Sequence, residues 1–254
     1  MARWRGGEVA RWRGGEVVGF RPMFRARGGV AVAVLVVSLV MMWPTSSQAQ
    51  TIKDGRVWVG ATVQARPDPD ARWKLAFDTM LRSRDGLDAL DAWHVRPAVG
   101  LDLNSHASVW IGYGLFRSLP AAGGHVDEHR YWQQLLYSTS AGGGTVTSRS
   151  RLEQRDMDGN TRLAWRFRQQ VRFVRPVHQG SRLSAVVWDE VAVNLNSTTR
   201  TGRGFDQNRV FVGASVTLSP TTRIETGYSN QFQRSVSGPS RSNHILLTTI
   251  GLTF

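Results

Sequence analysis

The residues with the greatest chemical potential in this sequence are arginines and carboxylates set at alternate positions. Arg149, Arg151, Glu153 and Arg155 occupy every second place, and Arg166, Arg168, Gln170 and Arg172 repeat the pattern a few residues on. Glu190 and Arg209 continue the band, with Arg223 and Glu225 after them. A period of two is the spacing of one face of a β-strand, so each set shares a face if its segment is a strand. Guanidinium forks suit carboxylates and anionic solutes alike. Two roles follow. The arginines can pair with Glu153, Glu190 and Glu225 and fill a narrow barrel as a structural plug. Alternatively, because arginines outnumber acids in the band, some can line a small channel that favours anions. Both stay open, and a structural barrel or small anion-favouring channel is the leading expectation.

An enzyme is the runner-up, in the form of an outer-membrane enzyme acting on lipid or envelope material. His94, His125 and His129 lie near predicted long loops, with Asp91, Asp127 and Glu128 close in sequence. A histidine beside acids in a loop is more often a solvated surface group. There is no GxSxG, HExxH or phosphate-binding glycine loop. There is no cysteine either, which excludes disulfides, thiolate metal sites and cysteine nucleophiles. The expectation is therefore no catalytic residue, no metal and no cofactor.

The elements that must position the charged band read as strands. After Gln50 apolar and polar residues alternate in segments of about ten, separated by turn residues, as in a membrane barrel. Leu163, Trp165, Phe167, Val171 and Phe173 oppose Arg166, Arg168, Gln170 and Arg172 on one such segment. Placed on a lipid-facing wall at mid-membrane, an arginine costs about 2–4 kcal/mol, so the charged face belongs in the lumen. The segments run Val57–Ala65, Trp73–Leu81, Trp93–Leu103, Val109–Phe116, Glu128–Tyr137, Val146–Arg155, Leu163–Val174, Leu183–Val193, Arg209–Leu218, Arg223–Gln233 and His244–Phe254. That list is odd, whereas a single-chain barrel of this kind has an even count with both ends at the periplasmic rim. The expected fold is an all-β, antiparallel transmembrane β-barrel of 10 or 12 strands. Either Val57–Ala65 lies outside the wall, or a further strand lies near residues 84–92.

The last segment orients the barrel. Counting back from Phe254, alternate residues are Leu252, Ile250, Thr248, Leu246 and His244. Phe254, Leu252, Ile250 and Leu246 make a mostly apolar face that resembles the C-terminal signal read by outer-membrane assembly machinery. The expected partners are outer-membrane lipid and the barrel assembly machinery, with oligomeric state left open. By the same parity Trp73, Trp93 and Trp165 face outward, while Trp188 shares a face with Glu190.

Residues 30–42 form an apolar run preceded by Arg25 and Arg27 and followed by Ser47-Gln48-Ala49. The run is short for a spanning helix, which needs about 20 residues, and has the plan of a secretory signal peptide. Residues 2–9 and 10–17 are the same octapeptide in tandem. The expected organisation is an upstream extension over 1–22, a signal peptide over 23–49 cleaved after Ala49, and a barrel over 50–254, in the bacterial outer membrane. The net charge is +13, and +8 without residues 1–49. Nucleic acid is not expected as a partner, because the arginines alternate along strands instead of clustering on a helix.

SRSRLEQR (148–155), WRFRQQ (165–170), WDEV (188–191) and DQNRVFVG (206–213), followed by the terminal strand, resemble the bacterial family called domain of unknown function 2490. The resemblance spans roughly residues 55–254. It implies an outer-membrane barrel and says little about chemistry. N-terminal sequencing of the exported protein is expected to begin at Gln50; peptides from residues 2–20 in the membrane fraction would contradict the proposed start and cleavage.

Overall fold

From Thr51 onward the alternation of side chains is expressed as strands in a computed structural model, which describes residues 51–235 and 238–254. The upstream extension and the signal peptide lie outside the described residues. The strands are β1 (Thr51–Ala65), β2 (Trp73–Arg84), β3 (Ala89–Asp102), β4 (Ala107–Ser118), β5 (Val126–Ala141) and β6 (Gly144–Met157). They continue as β7 (Ala164–Pro176), β8 (Leu183–Asn194), β9 (Gly204–Ser219), β10 (Thr222–Gln233) and β11 (Ser240–Thr253). Each pairs with its neighbour in sequence, and β1 pairs with β11, so the sheet closes into a barrel.

The barrel has eleven strands among the described residues, not 10 or 12. Val57–Ala65 is part of the wall, extended back to Thr51 as β1. No strand lies in residues 84–92 on its own: β2 and β3 are joined there by a turn in which Asp85 and Gly86 take φ of 50° and 73°. Asp-Gly is the dipeptide that tolerates such a turn between paired strands. The odd count has a topological consequence. The first and last strands must run the same way, and β1 pairs with β11 in parallel, from Thr51↔Ser240 to Gln64↔Thr253. All other pairings are antiparallel. The expectation that both ends share a rim is overturned for the same reason. Thr51 lies at one rim and Phe254 at the other, where its N–H donates to Gln64 O and its carbonyl accepts from Arg66 N, each at 2.9 Å.

The strands slant steeply. Following paired residues around the wall from Val126 leads through Ser118, Ala92, Arg82, Trp58, Leu247, Gly227, Gly213, Val186, Val174 and Thr145 to Ser140, near the far end of the same strand. Closing a sheet with such a stagger tilts every strand against the axis. The tightest turns lie at the Phe254 rim. One is the β5–β6 hairpin, where Gly142 and Gly143 take φ of 58° and 74°, which the favoured two-residue turn demands at both central positions. The connection 195–203, between β8 and β9, lies at the Thr51 rim.

Alternation separates two surfaces. Phe77, Leu81, Val99, Ile111, Val212, Leu246 and Ile250 point outward and are exposed. Trp58, Trp110, Trp132, Trp188 and Phe211 point inward and are buried. The inner aromatics fit because glycines lie beneath them. A Cβ on Gly100 would stand 2.6 Å from the Trp110 ring, one on Gly112 2.2 Å from Trp132, and one on Gly213 2.6 Å from Phe211.

A cysteine pair at Val59 and Thr248, partners across the β1–β11 junction, is expected to cross-link within one chain, since the natural sequence offers no competing thiol. The check is the gel mobility of the doubly substituted protein before and after reduction. Failure to cross-link while the barrel remains folded would mean that β1 stands outside the wall.

Candidate functional site

The inward face of every strand through the β5–β9 wall carries charge, and the closed wall brings these groups within reach of one another. Arg151, Glu153 and Arg155 on β6, Arg166 and Arg168 on β7, and Glu190 on β8 are all buried. Arg166 donates to Glu153 Oε2 through Nε at 2.9 Å and Nη2 at 2.6 Å, and through Nη1 to Asp206 at 3.0 Å. Arg168 bridges two carboxylates, reaching Glu153 Oε1 at 2.8 Å and Glu190 Oε1 at 2.5 Å. Glu190 also accepts from Arg149 and Arg209. One carboxylate with no solvent exposure thus meets three guanidinium groups. Further toward the Phe254 rim, Arg172 grips Glu225 with both terminal nitrogens.

Most of the residues expected in the band therefore meet in one network, with two departures. Arg151 has no close carboxylate: its Nε and Nη2 donate to Gln134 Oε1 at 3.0 and 2.7 Å, and its guanidinium lies 4.1 Å over Trp132. Glu153 stands 3.9 Å from it, beyond hydrogen-bond range. Arg223 shares the face of Glu225 but is exposed near the Phe254 rim and has no ion pair with a described residue.

The network also extends beyond the motifs. Arg155 pairs with Glu128, which Arg130 holds as well, at 2.6 and 2.8 Å. Asp78 accepts from Arg96 at 2.7 Å and from His94 Nε2 at 2.8 Å. His94 is not the solvated surface group expected of a histidine beside acids near a loop: it lies on β3, 2% exposed, with its ring 4.6 Å from that of Phe116. His129 points outward and its Nδ1 meets the Tyr113 hydroxyl at 2.5 Å. Parity within the strands could have found Asp78, Arg96, Glu128 and Arg130. Their partners lie on neighbouring strands, and the pairing supplies the contact.

A second tier lies beside the charges. On β1, β5, β8 and β9, reading the inner face toward the Phe254 rim, charge gives way to apolar bulk: Arg56 then Trp58, Arg130 then Trp132, Glu190 then Trp188 and Val186, Arg209 then Phe211. Trp58, Val186, Trp188, Phe211, Ile245 and Leu247 form one buried cluster, with Trp188 and Phe211 stacked at 5.3 Å. Ala98, Trp110 and Trp132 form another. Cations cap rings of both clusters, Arg82 4.4 Å over Trp58 and Arg151 4.1 Å over Trp132, and Arg130 lies 3.4 Å over the separate Phe116 ring. Among the described residues no group of three or more histidines and acids is placed to hold a metal.

The family described as protein of unknown function (DUF2490) matches over residues 55–243, most of the barrel. The chain belongs to the DUF2490 family. An uncharacterized protein of Methylorubrum extorquens is 29% identical over 203 residues, covering 79% of this chain and 88% of the relative. No solved structure matches the chain. The DUF2490 match covers the wall strands that supply Glu128, Glu153, Glu190, Arg166, Arg168 and Arg209, so the network lies within the family region.

Breaking a buried ion pair by removing one partner leaves an uncompensated charge and costs about 3–5 kcal/mol. Glu190→Ala is therefore expected to lower the unfolding free energy by about that amount, read from reversible urea unfolding in detergent. Glu225→Ala, at the edge of the network, is expected to cost less. Equal and small losses would show that Glu190 does not hold the three arginines together.

Proposed function

We propose that this protein is a bacterial outer-membrane barrel whose lumen is closed by its own side chains, so that it serves as a structural barrel without a standing pore. The observation that carries the reading is the burial of the lumen itself: Glu153, Glu190 and Phe211 are 1%, 0% and 0% exposed. A lumen open to water at that level would leave these groups solvated. Charges and aromatics together fill the space that eleven tilted strands enclose.

The outer wall supports the membrane reading. Between its rims it presents exposed Leu, Val, Ile and Phe side chains, a surface suited to acyl chains and poorly suited to water. Outward aromatics lie both at mid-strand, as Phe77, Tyr113, Tyr131 and Tyr228 do, and toward the strand ends. Trp73, Tyr137 and Phe254 lie toward one rim, and Trp93 and Trp165 toward the other, as interfacial girdles do. The apolar outward face of Phe254, Leu252, Ile250 and Leu246 is available as an assembly signal. The signal-peptide pattern ending at Ala49 supplies the route of export.

One observation favours a second reading, a small channel that favours anions. The interior holds more guanidinium groups than carboxylates, and Arg151 makes no hydrogen bond to an acid. If the aromatic tier moved aside, the exposed path would be positive.

In planar bilayers the refolded protein is expected to give no steady conductance at moderate voltage. A steady anion-selective current that is lost in Arg151→Glu would replace the closed barrel by the channel. Membrane insertion is checked separately. The protein is expected to stay in the outer-membrane pellet after alkaline carbonate extraction and to migrate faster on a gel before boiling than after; release into the carbonate supernatant would overturn the membrane reading.

A further inference from the structure

The outward face of β1 to β4 is mostly apolar at mid-strand, whereas β10 and β11 carry the bonded pair Thr226 and Thr248, and β5 to β8 carry a broader polar stripe. Gln133, Ser148, Ser150, Gln154, Gln169 and Asp189 all point outward there. Their inward neighbours are the buried Trp132, Arg151, Glu153, Arg168, Trp188 and Glu190, and parity sends the intervening side chains to the other surface. They lie at mid-strand and not at a rim. Ser150 sits near the centre of β6, Gln169 near the centre of β7, and Gln133 and Asp189 near the centres of β5 and β8.

These groups form three bonded sets side by side on the wall. Gln133 and Gln154 exchange amide hydrogen bonds at 3.2 and 2.9 Å. Ser150 donates to Gln169 Oε1 at 2.6 Å, and Gln169 Nε2 donates to Ser148 at 2.9 Å. Asp189 accepts from Asn208 at 2.5 Å. The bonds do not exhaust the groups. A primary amide has two N–H donors and two lone pairs, so the reciprocal Gln133–Gln154 pair leaves each amide with donor and acceptor capacity directed away from the wall. Acyl chains offer no partner for that capacity, while the opposite wall, at Val59 on β1 and Leu81 on β2, needs none.

We propose that the outward face of β5–β8 is the contact surface of a homodimer, in which a second copy of this chain covers the polar stripe. The proposal rests on the membrane reading, since in water such a stripe would need no cover. A second copy is the occupant because the stripe is complementary to itself. Glutamine amides and serine hydroxyls both donate and accept, and a two-fold axis along the membrane normal near Ser150 and Gln169 sets β8 of one copy against β5 of the other, so that Asp189 meets amide donors of Gln133 and not a second carboxylate. That is the requirement of an isologous interface. The apolar outward residues Leu135, Leu152, Val171 and Val187 beside the stripe close it off from lipid.

The absence of native cysteine makes the test direct. Ser150→Cys and, on the opposite wall, Val59→Cys are each introduced alone, and the intact protein is mildly oxidised in its native membrane. Faster migration before boiling verifies that each variant is folded. The expected result is a disulfide-linked product of twice the chain mass for Ser150→Cys, at least tenfold more abundant than for Val59→Cys, with the unsubstituted protein dimeric by light scattering in mild detergent. Equal cross-linking of the two variants, a monomeric mass, or a cross-linked product of any other mass would overturn the homodimer while leaving the membrane reading intact. Recovery of the unsubstituted protein in the carbonate supernatant would overturn the membrane reading and this proposal together.

Discussion

A β-sheet satisfies its backbone only when both edges are paired, and in this chain the pairing of β1 with β11 does that. Parallel registration from Thr51↔Ser240 to Gln64↔Thr253 removes the last free edge. Other features descend from this junction. Closure with an odd number of strands sends the two chain ends to opposite rims. The stagger required for closure tilts the strands and sets the width of the enclosed space. Once the wall is closed, side chains that point inward have nowhere to go except against one another.

The composition of the interior follows from that confinement. Guanidinium and carboxylate groups removed from water are stable only when their hydrogen bonds are met within the protein. Arg168 illustrates the solution by bridging Glu153 and Glu190, while Glu190 meets Arg149 and Arg209. Where acids run out, other acceptors and aromatic faces take over: Arg151 bonds Gln134 and lies over Trp132. The aromatic tier sits alongside the charges because glycines in the adjoining strands leave room for flat rings against the wall. Polar and apolar tiers together close the lumen, and neither occupies it alone.

The outer surface is not uniform: it is mostly apolar at mid-strand on β1–β4, carries the pair Thr226 and Thr248 on β10 and β11, and is most polar on β5–β8. The same strands that hold the interior carboxylates Glu128, Glu153 and Glu190 carry the stripe on their backs. Any contact at the stripe is therefore only one strand thickness from the most highly bonded part of the interior.

Much of this arrangement was legible from residues alone. Alternation identified the wall strands, and the same parity sent Arg166 and Arg168 inward with Phe167 outward, because a strand places successive side chains on opposite faces whatever it pairs with. The terminal face ending at Phe254 could be read in the same way. Strand count could not, since an Asp-Gly turn at residues 85–86 and the inclusion of β1 depend on which edges finally meet. Nor could the partners of Arg155 and Arg96: Glu128 lies 27 residues from Arg155 and Asp78 lies 18 from Arg96. Sequence determined which face each side chain takes, a local property of the backbone. Only tertiary closure decided which side chains meet, because register, stagger and the parallel junction are properties of the whole ring of strands.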